Sequence, residues 1–348
     1  MKRKNLDEFI IYDQELNKYV MDPEQQVRDN VEKDHWKIVL RTVIKDWRLY
    51  LMLVPMLLVF LFWRYFPMYE LLGSFKANLN NALKVSDQHF VGYSQFQKLL
   101  FGDRSYDFWM AFRNTFVISF YGLLFGFPVP IILALFFNEI KSNVYRSVLQ
   151  VMTYLPKFIS TVILTTLVWF LLSEKTYTGD VGIVAQLLVK LRLVSESTAN
   201  SGIMYKAQYF RAIYTLTGIW EGAGYGSIVY FAAVIAISPT SYEAAQIDGA
   251  GKMAQMRYVV LPAILSTIVI MLIVRIGSLL SVGYEQVLLM RHTDTYITAQ
   301  VVSTYAIDLQ ATDANLAMVP EFLNNITSMI LVIGANMISR KAADTSLY

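Results

Sequence analysis

The sequence predicts an all-α membrane protein with about six transmembrane helices and both termini in the cytoplasm. Composition points there first. Of 348 residues, 55% are hydrophobic and only 16% charged, against about a quarter in a soluble domain, and mean hydropathy is +0.41. Six stretches, roughly 48–67, 113–137, 154–173, 213–237, 259–281 and 320–338, are apolar over the about twenty residues needed to cross a hydrocarbon core of roughly 30 Å. Basic residues then give the orientation. Lys33, Lys37, Arg41, Lys45, Arg48, Lys141, Arg146, Lys252, Arg257, Arg340 and Lys341 crowd one set of connections, whereas the opposite segments, near 68–110, 174–210 and 282–319, are longer and carry fewer. The crowded side is the cytoplasmic one.

In chain order, residues 1–46 are polar and carry both signs of charge, unlike a signal peptide. Trp36, Leu40, Val43 and Trp47 recur at helical spacing among Lys37, Arg41 and Lys45, which predicts an amphipathic helix on the cytoplasmic membrane surface. In the third apolar stretch Pro156 breaks the helix near its start, and Lys157 is placed to snorkel to the headgroups. The patch Val181–Val194 is too short to span and holds Lys190 and Arg192, so it reads as an interfacial or re-entrant helix. Asn324 and Asn325 make the last stretch the least apolar of the six.

Between the fourth and fifth stretches lies the best-patterned soluble segment, residues 238–262. Ser238 before Pro239 predicts a capped helix start, and Gly249 predicts its left-handed stop. A second short helix follows from about Lys252 until Pro262 disturbs it. Ala244 and Ala245 keep one face of the first helix thin beside the carboxylates Glu243 and Asp248. Such a helix suits a groove on a partner protein.

This segment resembles the "EAA" loop of permease subunits of binding-protein-dependent ABC importers, through Glu243-Ala-Ala, Asp248-Gly249-Ala250-Gly251 and Leu261-Pro262. Phe108 to Thr115, Ala134 to Glu139, Tyr154 to Ser160, Trp220-Glu221 before Gly226-Ser227, Arg275 to Gly277 and Gly283 to Gln286 extend the likeness to the carbohydrate-uptake branch, over roughly residues 47–341. The resemblance implies a MetI-like type I importer core in the bacterial plasma membrane. Its parts would be a tail at 1–47, a first transmembrane helix and outer loop at 48–112, a transmembrane domain at 113–341 with the coupling loop at 238–262, and a tail at 342–348. Tyr242, Glu243, Ala244, Ala245, Asp248, Gly249, Ala250, Leu261 and Pro262 would then couple to an ATPase dimer. The implied partners are those ATPase subunits, a second permease of different sequence, an extracellular substrate-binding lipoprotein and a carbohydrate, with no nucleic acid. The long N-terminal tail and the segment Gln310 to Pro320 depart from the family pattern.

Within the spans, ionisable residues are expensive and usually functional or paired. Glu221 and Arg275 fall at similar depth, roughly 10 Å below the outer surface, and either pair directly or face a water-filled cavity. Aromatic faces bordered by hydrogen-bonding groups suit sugars. Trp220, Tyr225, Tyr230, Tyr284, Gln286 and Asn324 therefore join Glu221 and Arg275 as candidates for a substrate path.

Other classes fare worse. The sequence has no cysteine, and His35, His89 and His292 lie far apart, so a metal site is not expected. No glycine loop with Lys-Ser or Lys-Thr is present, so the chain should bind no cofactor itself and ATP with Mg2+ should reside on the partner ATPase. A membrane enzyme using Glu221 or Glu285 lacks a second carboxylate at useful spacing. A permease for a non-sugar solute and a membrane sensor or scaffold remain the alternatives.

Overall fold

The computed structural model describes residues 10–13, 18–21, 39–40, 43–77, 88–175 and 179–342. Of the amphipathic helix expected over Trp36 to Trp47, Trp36, Lys37 and Arg41 fall outside them. The chain divides into two compact units, Met1–Glu70 and Leu71–Tyr348.

In the first unit the tail holds a two-stranded antiparallel hairpin, β1 (Ile10–Asp13) against β2 (Lys18–Met21), which the polar sequence does not announce. The helix α1 (Trp47–Phe60) follows and runs on through a π turn and a 3-10 stretch to Phe75, so that 47–75 is one apolar run.

In the second unit, α2 (Ser94–Phe101) leads to α3 (Ser105–Tyr121), which continues through a π turn at Gly122–Gly126 into α4 (Pro128–Glu139). Pro128 follows the π turn directly, and because it has no N–H it removes one donor from the helical ladder at that point. The run therefore begins about two turns earlier than the apolar stretch at 113, because Phe108 and Ala111 are buried in a core rather than exposed at a membrane face.

The third span is not the single stretch 154–173. Helix α5 (Asn143–Tyr154) and the 3-10 turn Leu155–Phe158 meet α6 (Thr161–Leu171) at 100°. Two local causes combine. Pro156 cannot donate in the 3-10 turn. Ile159 and Ser160 are then extended, and the Ser160 hydroxyl accepts from the Ile163 N–H to restart the helix. At about 16 Å, the 11 residues of α6 are too short to cross a bilayer alone.

After α7 (Ile183–Lys190), the helix α8 (Ala207–Ile235) runs 29 residues and bends by 69° into α9 (Pro239–Ile247). The segment from Lys252 to Ala263 contains a π turn and bends by 60° into α10 (Leu265–Gly277). Then come α11 (Tyr284–Met290), α12 (Val302–Gln310) and α13 (Ala314–Ala342), which carries Pro320 within it. Among the described residues, three helices are long and apolar enough to span, and six spans result if each bent pair is one. That matches the six apolar stretches in number.

The buried side chains form three separate clusters. One joins Leu172, Ala185, Val194, Phe210, Val287 and Met290, so one face of the patch at 181–194 packs into protein while Ile183, Leu187, Leu191 and Leu193 stay exposed. A second joins Phe96, Leu99, Phe108, Tyr305, Leu309 and Val319. The third, Val234, Val260 and Ile264, closes the base of the 238–262 segment. Between spans the driving force is close packing rather than water exclusion, which favours small residues at helix crossings. Gly224 is one. A Cβ on it would lie 2.0 Å from the Thr153 carbonyl oxygen, so α8 and the end of α5 meet backbone to backbone.

Candidate functional site

Two constructions stand out, a two-helix knob at 238–262 and a cavity between the helices above it. In the knob, α9 ends in a Schellman motif. The Ala250 N–H donates to the Ala245 carbonyl at 2.9 Å and the Gly249 N–H to the Gln246 carbonyl at 3.0 Å, while Gly249 has φ +77°. This is the stop the sequence predicts. The start differs in detail. The Ser238 hydroxyl contacts the Thr240 hydroxyl at 2.8 Å and makes no bond to a backbone N–H, so Pro239 alone opens the helix.

The knob faces outward. Glu243, Ala244, Asp248 and Gly249 are exposed, as are Ile247, Met253 and Tyr258. Ala245, Ala250 and Leu261 are half-buried, and Pro262 is exposed just before the bend at Ile264. Tyr242 does not join the outward face, because its ring packs on Val234, Val260 and Ile264 and fastens α9 to its base. An ion pair from Lys252 to Glu139 ties the second half of the knob to the end of α4. Exposed Ile247, Met253 and Tyr258 were not singled out in the sequence.

The cavity encloses about 550 Å³ and is lined by α3, α4, α8, α10, α11 and the turns beside them. Its charged groups are Lys157, Glu221 and Arg275. The Lys157 ammonium donates to Glu221 Oε1 at 2.9 Å. Lys157 therefore does not snorkel to the headgroups, because the 100° turn carries it back over α8. Glu221 consequently pairs with Lys157 and not with Arg275, although both Glu221 and Arg275 face the cavity, the second of the two arrangements expected for them.

Arg275 lies in the last turn of α10, where the helix dipole favours a cation. Its guanidinium reaches over Gly122, whose added Cβ would stand 3.5 Å from Nη2. Tyr230 and Gln286 also line the space, joined by Tyr214, which the sequence did not single out. Three buried polar atoms on its wall, Ser119 Oγ, Thr215 Oγ1 and Gln286 Nε2, have no hydrogen-bond partner among the described residues.

The other four path candidates lie elsewhere. Trp220 is on the far side of α8 and Tyr225, one turn from Glu221, leans edge-on to Phe158 outside the lining; both are about half-exposed. Tyr284 is exposed. Asn324 is buried and donates to the Leu280 carbonyl at 3.0 Å, satisfying a backbone acceptor freed where α10 unwinds. That bond explains a polar residue in the last span without any ligand.

A polar network in the outer segments also escaped notice in the sequence. Asp308 accepts from Arg291 at 2.9 and 3.0 Å, from Gln300 at 2.8 Å and from the Tyr296 hydroxyl. Burial opposes ionisation of Asp308, but the bonds from Arg291, Tyr296 and Gln300 hold its carboxyl below the usual range. Tyr296 is pushed up to about 12, by burial and then by Asp308. Asn114 extends the network, donating to the Ile297 and Gln300 carbonyls and accepting from Arg211 at 2.8 Å.

Residues 126–294, which include the knob and all of the cavity lining but Ile118, Ser119 and Gly122, match the family described as binding-protein-dependent transport system inner membrane component. The chain is 33% identical over 315 residues to Protein LplB of Bacillus subtilis (strain 168), covering 90% of this chain and 94% of that protein. It is 32% identical over 319 residues to the polygalacturonan/rhamnogalacturonan transport system permease protein YteP of the same organism, covering 91% and 95%. Among solved structures, a bacterial ABC transporter involved in the import of the acidic polysaccharide alginate matches with TM-score 0.75 and 36% identity, over 88% of this chain and 99% of that one. A structure of bacterial alginate ABC transporter in complex with alginate pentasaccharide-bound periplasmic protein matches equally.

Proposed function

The chain belongs to the family of binding-protein-dependent transport system inner membrane components, and from that premise we propose that it is the permease subunit through which an oligosaccharide is imported. The observation that carries this reading is that one helix serves both constructions. Tyr214, Glu221 and Tyr230 of α8 line the cavity, and the same helix runs directly through Ser238 into the knob. Relatives of similar length are described as permeases or transporters for polysaccharides, which supports a saccharide cargo here.

In this reading the knob is the ATPase-coupling element. Glu243, Ala244, Asp248 and Gly249 sit in a cleft on a partner ATPase in the cytoplasm, with Ala245, Ala250, Leu261 and Pro262 shaping the turn and Tyr242 anchoring it. ATP with Mg2+ is held and hydrolysed by that partner, so this chain is not itself an enzyme. A second permease completes the translocation path, and an extracellular binding protein delivers the sugar. ATP drives the cycle because it binds better to the assembly in one orientation of the spans than in the other, and a ligand without that difference moves nothing.

The test is reconstitution with the ATPase, the second permease and the binding protein in vesicles. ATP-dependent uptake of oligosaccharide, lost on Glu243→Lys together with substrate-stimulated ATP hydrolysis, is the expected outcome. Co-purification of the ATPase without uptake of any saccharide would overturn the cargo assignment, and absence of an ATPase partner would overturn the whole reading.

A further inference from the structure

We propose that the cavity is a subsite for an anionic sugar, in which the Arg275 guanidinium receives a carboxylate of a uronate-bearing oligosaccharide. The proposal rests on the oligosaccharide reading above and narrows it to a substrate class.

The charges decide it. Two cations and one carboxylate line the cavity, and Lys157 and Glu221 satisfy each other at 2.9 Å. Arg275 has no carboxylate within ion-pair distance among the described residues, which leaves one uncompensated positive charge on the wall. An unpaired guanidinium between membrane spans is costly unless water or an anionic ligand meets it. A neutral sugar requires no such group, whereas a carboxylate matches the planar fork of a guanidinium through two parallel hydrogen bonds.

The remaining wall is built for hydroxyls. Ser119 Oγ and Thr215 Oγ1 can donate or accept, and Gln286 Nε2 can donate; all three atoms are buried and have no partner among the described residues. Ring hydroxyls of a pyranose supply both kinds of partner. The volume, about 550 Å³, lies within the roughly 300–1,000 Å³ of sites that enclose small organic ligands, so the cavity takes a short segment of a chain.

The extracellular binding protein makes its own selection, so the decisive measurement omits it. The solubilised complex of both permeases and the ATPase is titrated with a trigalacturonate and with its carboxyl-reduced counterpart, using wild type, Arg275→Gln and Arg275→Lys. The expected result is at least tenfold tighter binding of the uronate by wild type, loss of that preference in Arg275→Gln, and its partial recovery in Arg275→Lys. Raising salt from about 50 to about 300 mM should weaken uronate binding and leave the reduced sugar unaffected.

Equal affinity of wild type for the two sugars, or binding of neither, overturns the subsite. The oligosaccharide reading would still be decided separately by vesicle uptake. If Arg275→Gln prevents co-elution of the second permease, and Arg275→Lys restores assembly with no sugar preference, the guanidinium belongs to an interface between permeases and the proposal fails.

Discussion

The knob is specified by neighbours in sequence, whereas the polar groups between the helices are specified by residues far apart. Every bond of the Gly249 stop lies within a few positions, so the stretch 238–262 carries its own instructions. The Lys157–Glu221 pair joins residues 64 positions apart, and the Asn114 amide reaches 183 and 186 positions along the chain. The first kind of structure tolerates change elsewhere in the chain. The second depends on every helix crossing between the partners, and mutations can measure that difference.

The largest effect should come from a crossing rather than from a charged group. Gly224→Ala places a Cβ 2.0 Å from the Thr153 carbonyl, and separating the two backbones should cost about 3 kcal/mol. Gly222→Ala, two residues away and with nothing within 4 Å, should be neutral. Thermal denaturation of the detergent-solubilised protein should show the contrast, and equal Tm values for the two variants would remove the crossing from the argument.

The outer network should come next. Asp308→Asn weakens charge-assisted bonds from Arg291, and the loss should be about 2 kcal/mol. Because the folded carboxyl titrates below its ordinary value, its contribution is complete above about pH 4 and disappears as the pH falls through the lowered folded value. The Tm gap between wild type and Asp308→Asn should therefore stay constant from about pH 5 to 8 and shrink only below about 4. A gap that changed between pH 6 and 8 would point to a different titrating group.

A smaller and more local effect is expected in the knob. Gly249→Val forces a β-branched residue to φ +77°, a strain of about 1–3 kcal/mol confined to the turn after Asp248. Global Tm should hardly change, because the turn can fray alone, while ATPase co-purification and uptake fall together. Gly249→Asn should be much milder, since Asn visits this region more readily. A large drop in Tm for Gly249→Val would show that the knob is not an independent local unit.

The smallest effect belongs to Ser238→Ala. Losing an N-cap hydroxyl normally costs about 1 kcal/mol, but this hydroxyl bonds Thr240 and not a backbone donor, so less than about 0.5 kcal/mol should be lost. Wild-type uptake and Tm are expected.

The same contrast explains what could be read from the chain. The Pro239 start and the Gly249 stop are local signals and appear in the structure, and the six apolar stretches match the spans in number although a 100° turn breaks the third. Glu221, Arg275, Tyr230 and Gln286 were visible as polar or aromatic residues in apolar surroundings, and all four line the cavity. Their partners were not visible. Lys157 resembles a headgroup-seeking lysine until the 100° turn at Ile159 and Ser160 carries it over α8, and no hydropathy window contains that turn. Trp220 differs from Tyr230 by the face of α8 it occupies, whereas Tyr225 shares the Glu221 face and is turned onto Phe158. Arg291 and Asp308 sit in a segment already rich in polar residues, where nothing marks one as buried, and Asn114 stands at the edge of the second apolar stretch, where a polar residue reads as a span end.

The close crossing at Gly224 divides α8 into two arms. By helical rise, Ile235 lies about 16 Å to one side of the crossing and Ala207 about 26 Å to the other. If α8 tilts as a rod about that point by about 10°, Ile235 swings about 3 Å and Ala207 more than 4 Å in the opposite sense, whereas Glu221, within one turn of the fulcrum, moves less than about 1 Å. A push on the knob would then open one end of the path and close the other while the ion pair beside the cavity stayed almost still.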